Sequence, residues 1–112
     1  MRGTVKIRDG FEIELAANAA TAVRYQQVFG ENLLKYFASK QKPEDSAIRA
    51  QEIAYIMARS AEGADMNKLS REDYLTWLEQ FEALDLVRSD VTDAILTIYM
   101  SDGSTESKAK KE

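Results

Sequence analysis

The chain has 112 residues, about the size of one domain, so a single hydrophobic core and no second folding unit are expected. It holds no cysteine and no histidine, which removes disulfides, thiolate nucleophiles, thiolate-bound zinc and the commonest general base, and with them most enzyme mechanisms. The formal charge of −4, from 19 acidic and 15 scattered basic residues, weighs against a broad nucleic-acid footprint, while 45% hydrophobic and 30% charged content is that of a chain that folds.

From Thr4 to Leu15 apolar and polar residues alternate around Asp9-Gly10, the pattern of a hairpin with one buried face. A two-residue Asp-Gly loop would set Ile7 opposite Glu12 and Val5 opposite Glu14, mixing apolar with charged side chains on both faces. A three-residue loop, Arg8-Asp9-Gly10 with Gly10 left-handed, pairs Ile7 with Phe11 and Val5 with Ile13 and leaves Lys6 opposite Glu12 outside. This second register is the predicted one. A two-stranded ribbon is marginal in water, so its apolar face must pack on the helices that follow or on another chain.

Asn18 and Thr21 are candidate caps for a first helix carrying Ala22, Tyr25 and Phe29, and Gly30 is placed to end or interrupt it. A second helical stretch resumes near Glu31, with Leu33, Leu34 and Phe37 on one face. Ser39 to Pro43 reads as a loop, because the only proline restricts Lys42 and suits the first turn of a third helix, which runs to about Ala61 and stops at Gly63. Along that helix Ala50, Ile53, Ala54, Met57 and Ala61 form a narrow stripe that permits close helix packing.

After a loop, Ser70 and Asp73 form a reduced capping box that opens a fourth helix. Its Tyr74, Trp77, Leu78, Phe81 and Leu84 follow helical spacing, so this helix is expected at the centre of the core, with Trp77 buried. A last helix, from near Leu86 or Ser89 to about Tyr99, turns Val87, Val91, Ala94, Ile95 and Ile98 inward and is expected to end at Asp102-Gly103. The predicted fold is therefore mainly α: a single domain over residues 1–103, with about five helices and an N-terminal β-hairpin at 4–15. Residues 104–112, polar apart from one alanine, are expected to be a disordered tail. No apolar run approaches the ~20 residues of a membrane helix, and the N-terminus does not open as a signal peptide, so the expected location is the cytoplasm.

Several constellations invite a functional reading and support a plainer one. Glu79 and Glu82 have the spacing of paired carboxylates, yet they alternate with the apolar stripe and read as the solvated side of the fourth helix. Glu72 and Asp73 suit the first turn of that helix electrostatically. Asp65, Asn67 and Ser70 lack the glycine and closing glutamate of a calcium loop. Arg24, Tyr25, Lys35, Tyr36 and Phe37 interleave basic and aromatic residues as a nucleic-acid surface would, and Ala22 to Phe37 through Gly30 has the outline of a helix-turn-helix. Its would-be recognition helix opens with the acidic Glu31, where base-reading and phosphate-facing donors should concentrate. No catalytic residue, metal ligand or cofactor site is assigned.

Taken in order, three features resemble the tail assembly chaperones of long-tailed phages and prophages of Gram-positive bacteria. They are the hairpin, the stretch Thr21-Ala22-Val23-Arg24-Tyr25-Gln26-Gln27-Val28-Phe29-Gly30-Glu31-Asn32-Leu33-Leu34, and Trp77-Leu78-Glu79-Gln80-Phe81. The resemblance rests on the whole layout, with an arginine-aromatic-x-x-x-phenylalanine-glycine pattern and a tryptophan-leucine helix as its motifs. It implies a protein of the bacterial host cytoplasm that keeps the tape-measure protein soluble and ready for assembly and helps recruit tail-tube protein, by binding alone. It also implies a longer product made by frameshifting, with which Lys110-Lys111 is compatible. A holdase for a helical partner needs accessible apolar surface. The candidates are Phe11 and Ile13 on the hairpin and Tyr25, Phe29, Leu33 and Phe37 on the first helices, although such residues are more often plain core in so small a domain. Self-association is a further reading of its partners, and a small DNA-binding regulator and a structural subunit of a phage particle are the competing readings.

Overall fold

A computed structural model describes residues 2–33, 35 and 43–108. The chain forms strands β1 (Arg2–Arg8) and β2 (Phe11–Ala16), helices α1 (Thr21–Phe29) and α2 (Pro43–Glu62), a 3-10 turn (Met66–Lys68), and helices α3 (Arg71–Leu78) and α4 (Ser89–Lys108). Among the described residues there are thus four α-helices where about five were expected. The expected second helix, with Leu34 and Phe37, lies largely outside the described residues.

β1 and β2 pair antiparallel with Val5 opposite Ile13 and Lys6 opposite Glu12, the predicted register. At the tip Arg8, not Ile7, partners Phe11, so the loop is Asp9-Gly10 and not the three-residue Arg8-Asp9-Gly10 expected, and an irregularity between Lys6 and Arg8 leaves Ile7 as the extra residue on β1. Gly10 follows at φ +81°, the left-handed geometry that a bulged turn of this kind asks of a glycine. The bulge keeps Val5, Ile7, Ile13 and Leu15 on one buried face and brings Phe11, at the end of the ribbon, only half inside.

That face is covered by two long helices. α2 packs on β2, and α4 packs on β1 and α2. Gly3 permits the second contact, because a Cβ at that position would lie 2.8 Å from Cδ1 of Ile98. α2, not the fourth predicted helix, is the central element: from Ile53 to Ala58 every residue is buried, so its contact surface wraps around the helix instead of forming the narrow stripe expected. A helix buried on most sides must be covered by several neighbours, and α2 touches β2, α1, α3 and α4.

α1 begins after a local turn in which Asn18 Oδ1 accepts from Ala20 N at 2.8 Å and Thr21 Oγ1 accepts from Asn18 N at 3.0 Å. It ends at Gly30, left-handed at φ 76°, whose N–H donates to the Gln26 carbonyl. Arg71 on α3 donates to the Phe29 carbonyl at 2.9 Å and satisfies one more orphan acceptor at that helix end. Ser70 caps α3 as expected, its Oγ accepting from Asp73 N at 3.0 Å.

Two helix ends differ from the expected ones. α3 has eight residues and stops at Leu78, so Phe81 sits in a turn and Leu84, expected in the core, is 71% exposed. Beyond Leu78 the chain is held in turns: Asp85, buried, accepts from Glu82 N three residues earlier at 2.8 Å and from the Arg8 guanidinium at the hairpin tip. At the other end of the chain, α4 does not stop at Asp102-Gly103 but runs on to Lys108. A single glycine weakens a helix by only about 1 kcal/mol relative to alanine, and the glutamate and lysine around it favour continuation. Val87, expected inward on this helix, precedes it and is exposed.

Candidate functional site

The sequence-predicted binding residues fall mostly inside. Ile13, Tyr25, Phe29 and Leu33 are buried core residues, Phe11 is half-buried, and Phe37 lies outside the described residues. Phe11 stacks on Phe81 with centroids 5.4 Å apart, Phe81 on Trp77 at 4.9 Å, and Trp77 on Tyr55 at 5.8 Å. Tyr55 and Tyr74 both meet Phe29, which stacks on Tyr25 at 5.0 Å. The motif aromatics of α1 and α3 therefore form one continuous aromatic wall against α2. It fixes the positions of three helices and leaves Tyr25, Phe29 and Trp77 buried.

Polar tips of that wall are held by charged pairs. The Tyr25 hydroxyl donates to Glu52 at 2.5 Å and accepts from Arg49 at 3.2 Å, and Arg49 also pairs with Glu31. Burial, then the Glu52 carboxylate, pushes the Tyr25 phenol far above its usual range. The Tyr55 hydroxyl donates to Asp73 at 2.5 Å, and Arg59 reaches the same carboxylate at 3.1 Å. Burial and that carboxylate raise Tyr55 to about 12, and burial with the nearby Glu52 charge raises Tyr74 to about 12. A phenol held this firmly in its protonated form is a structural hydrogen-bond donor and not a proton shuttle.

The other constellations disperse. Glu79 is the C-cap of α3 and Glu82 lies beyond it, 3.9 Å from Arg8, so the two do not share a helical face as expected. Asp65 bonds Asn67 N at 3.0 Å within its own turn. Arg24 reaches the Met66 carbonyl at 3.3 Å and Asn67 Oδ1 at 3.0 Å, and so ties α1 to the 3-10 turn. Tyr36 and Phe37 of the basic-aromatic cluster are outside the described residues. Among the described residues no three carboxylates converge as a metal site would need, and no helix is long and apolar enough to cross a membrane.

What remains is surface. A cleft of about 360 Å³ between β2, α2 and α3 has Ile13, Ala58, Ala61 and Trp77 on its walls. Its charges are engaged already, Glu14 by Arg2 and Arg59 by Glu62 and Asp73. A second cleft, of about 190 Å³, is lined by Leu78, Phe81, Ala83 and Leu86 with Gln51 and Glu82. It lies along the strap of turns from Glu79 to Arg88, where Leu84 and Val87 stand exposed, and Leu75 on α3 is 59% exposed. The periodic reading missed this surface because it placed Leu84 and Val87 in the core. The usable signal was Asp85, a lone carboxylate between Leu84 and Leu86, which no continuous apolar stripe can absorb. Comparison with protein-family models, curated proteins and solved structures gives no match to this chain.

Proposed function

We propose that this chain is a tail assembly chaperone: a binding protein that keeps the tape-measure protein soluble, helps recruit tail-tube subunits, and works in the bacterial host cytoplasm without catalysis. The observation that carries the reading is the ordered layout of the hairpin, Arg24-Tyr25 through Phe29-Gly30, and Trp77-Leu78 through Phe81. Its support in the fold is a division of labour. The motif aromatics are consumed in building the scaffold, and apolar side chains such as Leu75, Leu84 and Val87 remain outside, available to a partner.

Co-expression with the protein encoded immediately downstream tests the proposal. The expected result is a higher soluble yield of that partner and a complex that co-elutes with this chain. Contact through apolar surface survives raised salt, whereas binding through phosphate contacts falls steeply with it. A partner that stays insoluble, together with salt-sensitive binding of a DNA duplex by the isolated chain, replaces the chaperone with a small helical regulator.

A further inference from the structure

The strap between α3 and α4 reads Glu79-Gln80-Phe81-Glu82-Ala83-Leu84-Asp85-Leu86-Val87-Arg88, with no glycine or proline, yet it is folded into turns. Phe81 N donates to the Leu78 carbonyl, Asp85 N to Glu82 and Val87 N to Leu84, while Arg8 and the Glu82 N–H hold the Asp85 carboxylate from both sides. Helix formers are held here in turns by short-range bonds and one tertiary bond, from Arg8, a conflict with local preference of the kind that concentrates at functional sites. The consequence is that Ala83 and Leu86 line a cleft while their chain neighbours Leu84 and Val87 face water. On α3, Leu75 stands one turn before Leu78 of the same cleft, on the same side of the helix.

Charge sets this surface apart from the rest of the molecule. Between Arg71 and Met100 the sequence holds seven carboxylates and only two arginines. Asp73 is paired with Arg59, Asp85 with Arg8 and Asp90 with Arg88, so the carboxylates left facing solvent here are chiefly those beside Leu75. Glu72 and Glu79 flank Leu75 at i−3 and i+4, and neither forms an ion pair among the described residues. Glu82 has only a long contact to Arg8, at 3.9 Å, and its side chain is 78% exposed. Exposed apolar side chains beside carboxylates with little or no pairing match an apolar helix face edged by ammonium or guanidinium groups, because complementary potentials steer association and penalise the opposite charge. Turns and a helix face offer no strand edge to extend, so the recognition mode is an amphipathic helix laid along a groove.

We infer that the outer face of α3 and the 79–88 strap form the docking surface for a basic amphipathic helix of a protein partner, seated on Leu75, Leu84 and Val87 with its cations toward Glu72, Glu79 and Glu82. This inference deepens the chaperone reading by naming the surface and the chemistry of what it holds. The probes are a labelled amphipathic helical peptide of leucine and lysine and its leucine and glutamate counterpart, titrated by fluorescence anisotropy against the full chain. The lysine peptide is expected to bind at least about tenfold more tightly than the glutamate one, and Leu75→Ser with Leu84→Ser to weaken it about tenfold. Val23→Ser with Ile48→Ser, at exposed apolar positions elsewhere, should leave it unchanged. All four positions are exposed, so both variants should keep the wild-type circular dichroism spectrum, which is checked first.

Equal binding of the two peptides, or equal loss in the two double variants, overturns the inference. Co-expression separates it from the reading it rests on. Leu75→Ser with Leu84→Ser that still solubilises the downstream protein as wild type does refutes this surface and leaves the chaperone standing. A wild-type chain that fails to solubilise that protein, while the peptide results hold, removes the chaperone and leaves the surface.

Discussion

Trp77→Ala is the perturbation that most directly tests the aromatic wall. The indole is 5% exposed and stands between Phe81 at 4.9 Å and Tyr55 at 5.8 Å, so its removal cuts the wall between the hairpin side and the α1 side. A buried tryptophan removes about 200 Å² from water, which at about 25 cal/mol per Å² corresponds to ~5 kcal/mol. Large-to-small substitutions at such sites lose about 3–5 kcal/mol, the lower values arising where neighbours relax into the space. Phe81 borders the cavity and belongs to a strap without regular structure, so it can move inward, and a loss of about 3–4 kcal/mol is expected. Against a total stability of about 5–15 kcal/mol this is a large fraction. Urea unfolding followed by far-ultraviolet circular dichroism measures it, because the substitution removes the chain's one tryptophan and with it the fluorescence signal. Trp77→Phe, which keeps a ring against Tyr55, should fall between the two and keeps the test readable if the alanine variant does not fold. An unchanged midpoint and slope for Trp77→Ala would show that the indole is not a core member, whatever its packing.

Gly10→Ala should cost about 1 kcal/mol in the same unfolding assay, and because no atom lies within 4 Å of the added Cβ, the loss would report the φ of +81° alone. Thr92→Val should raise stability by about 1 kcal/mol and the melting temperature by about 4 °C, since the buried Thr92 hydroxyl has no hydrogen-bond partner among the described residues; a lower melting temperature would contradict the orphaned assignment. The Asp85 carboxyl is held below its usual value by the Glu82 N–H and by Arg8, so its contribution is complete above the unfolded value of about 3.9 and is lost as pH falls through the lower folded value; Asp85→Asn should flatten the acid limb of a stability profile. Tyr55 and Tyr74 are raised to about 12, so their contribution is present below the unfolded value of about 10 and disappears as pH rises through about 12. The phenolate absorbance of Tyr55 and Tyr74 should therefore appear late and together with unfolding, and early titration of all tyrosines in the folded chain would refute the burial.

The hairpin was legible because its evidence is local. Alternation with period two, together with the demand that Val5 and Ile13 share a face, fixes their pairing, but the loop is the shorter Asp9-Gly10 turn, and the extra residue is absorbed as a bulge at Ile7 and not in the loop. The start of α3 was legible for the same reason, since Ser70 and Asp73 make their cap within a single turn. Its end was not. Tyr74, Trp77, Leu78, Phe81 and Leu84 satisfy helical spacing, and the turns that replace the helix after Leu78 include a bond to Asp85 from Arg8, 77 residues away in sequence. Periodicity measures which residues can share a face of a regular element. It carries no information about a distant guanidinium that makes a turn more stable than the next turn of helix.

The same distinction separates the two kinds of binding residue. Tyr25, Phe29 and Leu33 attract attention in the sequence because they are large, apolar and periodic, which are the properties that place a side chain in a core. A docking residue on a small domain has the opposite signature: it breaks the periodic solution, as Leu84 does, or stands on the polar side of a helix, as Leu75 does between Glu72 and Glu79. Candidates chosen by periodicity are therefore biased toward the scaffold. In this chain the bias is resolved by Asp85, whose burial against Arg8 turns the strap outward and converts two expected core residues into exposed ones. Arg8→Ala should therefore loosen the strap and speed amide exchange across Glu79 to Arg88 while the α2 core amides remain protected. Exchange that stays as slow as in the wild type would mean that Phe81 on Phe11 and the buried Leu86 hold the strap without the ion pair.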